Sequence, residues 1–193
     1  DILFGGDHND EIYGGEGQDK LYGGHGVDRL YFDEHDKIVD GGGQGLDFAI
    51  YHGSAGLGDD LTFDLSILRS IDSLLLGDAN DHIDWSSISL TTNISTSSGG
   101  GDDTLIGNEI GNSFFAGDGD DVVFGHGGDD FLSGDRGRDI IEGGAGNDRI
   151  EGGGANDILR GDNGDDELFG GSNSDFLYGG SGADSLSGDQ GND

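Results

Sequence analysis

A strict nine-residue period constrains this chain more than any other feature of its sequence. Residues 98–187 divide into ten consecutive units without remainder, and an eleventh unit starts at Gly188 and reaches its sixth position at Asp193. Most units keep the pattern Gly-Gly-x-Gly-x-Asp-x-apolar-x, and residues 143–151 are a clean copy. Self-similarity at a fixed short period is typical of solenoids, in which each repeat packs only against its neighbours.

The apolar residue at position eight predicts the core of such a solenoid. It lies at the centre of a three-residue extended segment, and six glycine-rich residues then turn the chain. Because so short a strand is not stable alone, we expect two units to form one coil and the coils to stack with strands about 4.8 Å apart. The stacking predicts one sheet lined by Leu105, Val123, Ile141, Leu159 and Leu177, and a facing sheet lined by Phe114, Leu132, Ile150, Leu168 and Leu186.

Position six carries an aspartate in almost every unit. Stacking brings each of these carboxylates to within about one strand spacing of the next, so an uncompensated row would repel itself. Several oxygen ligands from neighbouring turns suit a hard divalent cation, and the fixed phase of the aspartates favours Ca²⁺ over a merely solvated acidic face. The predicted metal ligands are Asp10, Asp19, Asp28, Asp47, Asp103, Asp121, Asp130, Asp139, Asp148, Asp157, Asp166, Asp175, Asp184 and Asp193.

The number of calcium sites follows from which loops share an edge. In the long array the loops that start at 98, 116, 134, 152, 170 and 188 share one edge, which gives five gaps, and those that start at 107, 125, 143, 161 and 179 give four. With at least one further gap in the first array, we expect roughly ten Ca²⁺ ions. The gap beside the unit at Gly107 should be weak or empty, because Asn112 replaces the aspartate and Ile110 replaces a glycine.

Three regions differ in how well they keep the repeat. Residues 1–50 hold three units in register at 5–31, then a degenerate stretch, and then a restored loop that ends at Asp47 in an offset register. Residues 51–97 lose the nonapeptide, but 61–67 and 88–94 alternate apolar and polar residues as half-buried strands do. We interpret 51–97 as longer coils of the same solenoid that bind fewer ions, with a small inserted subdomain as the alternative. Residues 98–193 form the long array.

The composition requires a compensating ion. The chain has 193 residues with a formal net charge of −33, only 31% apolar residues, and no Cys or Pro. Such a chain resembles disordered proteins, because little apolar burial opposes strong self-repulsion. We therefore expect it to be unfolded without calcium. The acidity also argues against nucleic acid or an anionic membrane as partner, and no apolar run is long enough to span a bilayer.

The repeat resembles the calcium-binding nonapeptide of RTX proteins, the glycine- and aspartate-rich modules of bacterial proteins that are exported by type I secretion. The resemblance covers the long array, the short array and fragments between them. It implies an all-β fold, a right-handed parallel β-roll in which each Ca²⁺ lies between neighbouring loops on the same edge. It also implies a secreted or cell-surface location. The chain begins in mid-repeat at Asp1, so we expect a piece of a longer polypeptide.

No catalytic signature accompanies the repeat. His-Glu-x-x-His and Gly-x-Ser-x-Gly are missing from the sequence, so we do not expect an enzyme in these residues. Residues 33–36 could hold a transition metal, although a solvated loop is the better interpretation because no second fixed His or Cys is present. Ice binding is disfavoured, because neither loop edge carries a regular Thr or Asn row at position three.

Two functions remain open. One is a structural, calcium-folded module of a large secreted or surface protein, such as an adhesin or S-layer-like protein. The other is the C-terminal calcium-binding module of a secreted protease, lipase, epimerase or toxin. Self-association and surface-layer partners are left open in either case.

Overall fold

The computed structural model describes residues 1–51, 68–87 and 95–193. These residues form β-strands and connecting turns, and none of them belongs to a helix long and apolar enough to cross a bilayer. The strands are β1 (Ile2–Asp7), β2 (Glu11–Tyr13), β3 (Lys20–His25), β4 (Arg29–Phe32), β5 (Ile38–Gln44), β6 (Phe48–Tyr51), β7 (Leu68–Arg69), β8 (Ser73–Leu75), β9 (His82–Asp84), β10 (Ser95–Gly100), β11 (Thr104–Ile106), β12 (Ser113–Asp118), β13 (Val122–Gly127), β14 (Phe131–Arg136), β15 (Ile140–Ala145), β16 (Arg149–Gly154), β17 (Ile158–Asn163), β18 (Glu167–Ser172), β19 (Phe176–Ser181) and β20 (Ser185–Gln190).

Alternate strands lie on opposite sides of a β-solenoid. The even-numbered strands form one ten-stranded sheet in chain order, and the odd-numbered strands form a four-stranded sheet (β1, β3, β5, β7) and a six-stranded sheet (β9 to β19). Each pairing joins strands two apart in sequence and is parallel. The prediction of an all-β, parallel β-roll is therefore confirmed.

The two predicted core rows are also confirmed. Val123 pairs with Leu105 on one side and with Ile141 on the other, and Phe114 pairs with Leu132 in the facing sheet. Each step is one coil of 18 residues. The position-eight side chains from Leu105 to Leu168 have no exposed surface, whereas Leu186 in β20 is 46% exposed. The apolar core is thus one side chain deep on each side.

The described part of the 51–97 region pairs with strands of both arrays. In the even-numbered sheet β8 lies between β6 and β10, with Ala49 opposite Leu74 and Leu74 opposite Thr96. These partners are 25 and 22 positions apart, so the coils here are longer than 18 residues. Trp85 is only 1% exposed, and its indole N–H donates to the Thr96 hydroxyl at 3.3 Å.

Two predictions for this region fall outside the described residues. They are the alternating strands at 61–67 and 88–94. The limits set at 50/51 and 97/98 between the three regions stay predictions.

Candidate metal centre

The position-six aspartates form a hydrogen-bonded ladder along each edge of the solenoid. The backbone N–H of Asp103 donates to Oδ1 of Asp121 at 2.7 Å, and the N–H of Asp121 donates to Oδ1 of Asp139 at 2.9 Å. The same bond joins Asp130 to Asp148 on the other edge at 2.9 Å. Each carboxylate is therefore fixed by the loop that lies one coil before it.

We name the edges by the strands that their loops lead into. The even edge brings together Asp10, Asp28, Asp47 and Asp72, and then Asn112, Asp130, Asp148, Asp166 and Asp184. The odd edge brings together Asp19 and Asp36, and then Asp81, Asp103, Asp121, Asp139, Asp157, Asp175 and Asp193. All of the predicted ligands lie on these two edges, in the order that the stacking predicted.

The second oxygen of these carboxylates is buried without a hydrogen-bond partner. Asp139 and Asp157, for example, are each only 1% exposed, yet their Oδ2 atoms receive no hydrogen bond. Among the predicted ligands this holds for the Oδ2 atoms of Asp10, Asp19, Asp28, Asp103, Asp121, Asp130, Asp139, Asp148, Asp157, Asp166 and Asp175. A buried carboxylate oxygen without a donor is strongly unfavourable unless a cation compensates it.

Position-one glycines leave the space in which these oxygens lie. A Cβ atom added at Gly152 would be 2.5 Å from Oδ2 of Asp157 and 2.7 Å from the carbonyl oxygen of Gly170 in the next coil. A Cβ at Gly5 would be 2.5 Å from Oδ2 of Asp10. The absence of a side chain therefore lets a carboxylate oxygen and a carbonyl oxygen from neighbouring coils approach the same point.

Burial raises the pKa values of the ladder carboxyls. Burial is the largest cause in each case, and neighbouring carboxylates such as Asp157 beside Asp139 add to it. The pKa is raised to about 7 for Asp103, Asp130 and Asp139, and to about 6 for Asp121, Asp148 and Asp157. Without a cation these groups therefore hold protons at a pH where an ordinary aspartate is ionised.

The loop backbone requires left-handed conformations at position four. Gly146 has φ 140°, and the residues that replace glycine at the same position, His8, Ala155 and Asn173, have φ 90°, 78° and 81°. Ala and His reach this region only with strain, whereas Asn tolerates it better. These three loops thus keep the left-handed residue where the glycine is lost, whereas Ile110 at the same position does not have a positive φ.

A second ladder at position five was not predicted from the sequence. Oδ1 of Asp102 accepts a hydrogen bond at 2.9 Å from the N–H of Asp120, and Oδ1 of Asp129 accepts one from Asn147 at 2.8 Å. These bonds run from side chain to the following coil, opposite in direction to those at position six. The repeat of Asn and Asp at this position is the signal that could have revealed it, because both side chains accept hydrogen bonds from backbone N–H groups.

Three ladder members were also missed, namely Asp36, Asp72 and Asp81. Asp81 is 2% exposed and neither of its carboxylate oxygens has a hydrogen-bond partner, and burial raises its pKa to about 7. Both oxygens of Asp36, in contrast, accept backbone bonds, from Asp19 and Asp33. Asp72 and Asp81 are each followed by x-apolar-x, and this tail of the repeat marks their positions where the glycines are absent.

The loop at residues 107–112 is closed by amides instead. Oδ1 of Asn112 accepts from the N–H of Asn108 at 3.0 Å, and Oδ1 of Asn108 accepts from the N–H of Ile110 at 3.1 Å. The Asn112 side chain thus turns back onto its own loop and carries no charge.

Residues Asp33, Glu34 and His35 bring three possible ligand atoms within 4.8 Å of one another. All three side chains already have protein partners: Oδ1 of Asp33 accepts from the His35 backbone N–H at 2.7 Å, Oε2 of Glu34 accepts from the Tyr51 hydroxyl at 2.7 Å, and Nδ1 of His35 lies 3.4 Å from Oδ1 of Asp33. His35 and Glu34 are exposed. This geometry agrees with a solvated loop, and we assign no metal to it.

The donor set of the two edges suits a hard divalent cation. It consists of carboxylate and carbonyl oxygens that are held by the backbone of two coils, which are the ligands Ca²⁺ prefers. The described residues of the ladders offer no thiolate or imidazole, so a soft metal has no advantage there. The buried Oδ2 atoms and the space beside the position-one glycines both fit such an ion.

Comparison with known families agrees with this geometry. A model of the RTX calcium-binding nonapeptide repeat (4 copies) matches residues 1–34, 97–132, 106–141, 133–168 and 160–193. No curated protein matches the chain. The family matches cover both of the arrays that carry the ladders, so the chain belongs to the RTX calcium-binding nonapeptide repeat family.

Proposed function

We propose that this chain is a structural module that folds on binding calcium outside a bacterial cell, within a large secreted or cell-surface protein such as an adhesin or S-layer-like protein. One observation carries the proposal: a row of buried carboxylate oxygens without donors runs along both edges of a fold that has little other core. Residues that bind an ion only when they are brought together make binding and folding one process.

The cost of burying the ladder carboxylates determines whether the chain folds with or without calcium. Without a cation, folding must bury many carboxylates, which keeps the chain open. When Ca²⁺ is bound it supplies the positive charge that the loops lack, and roughly ten ions would offset roughly 20 of the net negative charges. The carboxylates and the loop carbonyls would then hold the two coils on either side of each ion together.

The expected calcium affinity is such that the chain is unfolded in the cytoplasm and folded outside the cell. Extracellular calcium modules have dissociation constants of about 10⁻⁴–10⁻³ M, far above cytosolic calcium. The chain is then unfolded and exportable inside the cell, and it folds where calcium is millimolar. The stabilisation grows with the calcium concentration, because the ion binds the folded chain and not the unfolded one.

Far-UV circular dichroism tests this proposal. We expect a disordered spectrum in excess chelator and a β spectrum in about 1–10 mM CaCl₂. MgCl₂ at the same concentration should be much less effective, because Mg²⁺ demands a compact octahedral site.

NaCl at about 1 M provides the control for simple screening. It shortens the Debye length to about 3 Å and weakens repulsion between exposed charges. It cannot compensate the buried Oδ2 atoms, so we expect little folding. A chain that is equally folded in chelator, or that folds in NaCl as well as in CaCl₂, would contradict the proposal.

A further inference from the structure

The outward face of strands β13, β15, β17 and β19 carries an apolar stripe. Because position eight points into the core, positions seven and nine point away from it. Ile140 is 40% exposed, Ile158 37%, Phe176 61% and Tyr178 55%. The stripe consists of Val122, Phe124, Ile140, Ile158, Phe176 and Tyr178, and strand pairing places these residues in two adjacent rows.

The stripe is electrically neutral in a strongly acidic chain. Its two rows contain one acidic and one basic side chain, Glu142 and Arg160, and Nη1 of Arg160 donates to Oε1 of Glu142 at 2.9 Å. Over the same coils the outward face of β14, β16, β18 and β20 is more polar and includes Arg149, Glu151 and Glu167. An exposed apolar patch on an electrically neutral face is characteristic of a contact surface.

We propose that this stripe binds the same stripe of a second copy of the chain. The proposed dimer has a two-fold axis that runs parallel to the strands and lies midway between β15 and β17. This axis reverses the order of the coils in the second copy, so that each row of one copy faces the same row of the other. Strand β15 then faces β17 of the second copy, and β13 faces β19.

This symmetry makes the rows complementary. Glu142 lies opposite Arg160 of the second copy, and Ile140 lies opposite Ile158 of the second copy. In the outer coils Val122 meets Phe176 and Phe124 meets Tyr178. A self-complementary patch of this kind is what an isologous dimer requires, and a partner that is strongly acidic or basic would find no net charge to recognise in these rows.

The acidic loops stay at the rim in this arrangement. The ladders run along the two edges, so a face-to-face contact leaves them accessible to solvent and calcium. The stripe is only about 14 Å long, over three strand intervals, so the area that it can bury is smaller than the roughly 800 Å² per partner of a standard interface. We therefore expect a weak dimer, with a dissociation constant on the order of 10–1000 µM.

Sedimentation equilibrium in a buffer that contains CaCl₂ measures dimerisation, at protein concentrations of about 10–500 µM. The dimer rests on the proposed calcium folding, so circular dichroism of the same samples is recorded first. A chain that fails to fold in calcium contradicts the proposed function, whereas a folded chain that is monomeric at every concentration contradicts the dimer alone.

Two pairs of variants locate the contact. Ile140→Lys with Ile158→Lys should weaken dimerisation at least about tenfold, because four lysines would meet across the axis. Ser113→Lys with Ser185→Lys makes the same charge change at position seven of the opposite face, and dimerisation should stay within about threefold. Equal effects of the two pairs, or a dimer that persists in the first, would overturn the assignment.

A charge swap tests the two-fold register. Glu142→Arg alone should weaken association, because it places two arginines opposite each other. Adding Arg160→Glu reverses both charges and restores the pair within each copy and across the axis, so the affinity should recover. If the double variant associates no better than the single one, the proposed register is wrong.

Discussion

Asp148 shows how one side chain both organises and destabilises a coil. Its Oδ1 accepts the Asp130 N–H at 2.9 Å, and its own N–H donates to Oδ1 of Asp166 at 2.8 Å. Its Oδ2 is buried without a donor, and burial raises the pKa of the carboxyl to about 6. The hydrogen bonds need only a side-chain oxygen, whereas the cation needs the charge. The two roles can therefore be separated by an amide.

Asp148→Asn should change stability in opposite directions with and without calcium. In millimolar Ca²⁺ it removes a charged ligand, so the free energy of unfolding should fall by about 1–3 kcal/mol. In calcium-free buffer it removes an uncompensated buried charge, so the β signal should stay equal or rise. Urea titrations followed by circular dichroism measure the first effect, and the circular dichroism spectrum in chelator measures the second.

The matched control for that substitution is Asp7→Asn, which removes an exposed carboxylate outside position six. It should shift the free energy of unfolding by less than about 0.5 kcal/mol in calcium, and it should leave the calcium-free spectrum unchanged. If Asp148→Asn costs no more stability in calcium than Asp7→Asn, the carboxylate does not act through a cation.

At the scale of a single element, the loop at residues 107–112 behaves differently from its neighbours. Asn108, which is 7% exposed, joins its loop through the N–H of Ile110 and the side chain of Asn112. Asn108→Ala should lower the free energy of unfolding by about 1–2 kcal/mol, because these bonds are lost. The loss should be the same at about 1 and 10 mM CaCl₂, and calorimetry should find the same number of bound ions. A changed stoichiometry would contradict an amide-closed loop.

The elements also show what the sequence could predict. The strands of the long array follow from the repeat because Leu105, Val123 and Ile141 recur at one phase with glycine turns between them. The nine-residue period does not place the loops that end at Asp36 and Asp72 on the ladders, because their spacing from the neighbouring coil on the same edge is not 18 residues. The spacing is 17 residues from Asp19 to Asp36 and 25 residues from Asp47 to Asp72. Where coils change length, only the paired backbone reveals which loop lies on which edge.

The outward positions were hidden for a different reason. The repeat leaves positions five, seven and nine undefined, so it says nothing about which neighbours they meet. The ladder through Asp102 and Asp129 and the row through Ile140 and Ile158 become visible only when residues 18 apart are placed side by side. The variable positions of the repeat thus carry features that the repeat pattern alone does not predict.

At the scale of the whole molecule, each ladder is a row of carboxyls that interact with their neighbours on the same edge. Ten described ladder carboxyls on the two edges have pKa values that are raised mainly by burial; they are Asp36, Asp47, Asp81, Asp103, Asp121, Asp130, Asp139, Asp148, Asp157 and Asp166. Since every coil shares a gap with the next, the ionisation of one loop affects the stacking of both neighbours. We therefore expect protons and calcium to compete for the same carboxylate oxygens along the described parts of both ladders.

This competition predicts opposite pH responses in the two states. In calcium-free buffer the folded carboxyls, with pKa values of about 6 to 7, bind protons more tightly than the unfolded ones near 3.8. The β signal should then rise as the pH falls from about 7 to about 4, since the folded state takes up protons in that window. In calcium the same protons displace the ion, so the midpoint CaCl₂ concentration should increase as the pH falls.

Circular dichroism between about pH 7 and pH 4 tests whether the calcium-free response comes from the ladder carboxyls or from weaker repulsion over the whole surface. Asp130→Asn with Asp148→Asn removes two buried carboxyls and should flatten the calcium-free response, because fewer groups take up protons on folding. Asp7→Asn with Asp118→Asn removes two exposed carboxylates and should leave the response unchanged. If both pairs flatten it equally, repulsion over the whole surface governs folding. If acid reduces the β signal in calcium-free buffer, the buried carboxyls do not oppose the fold.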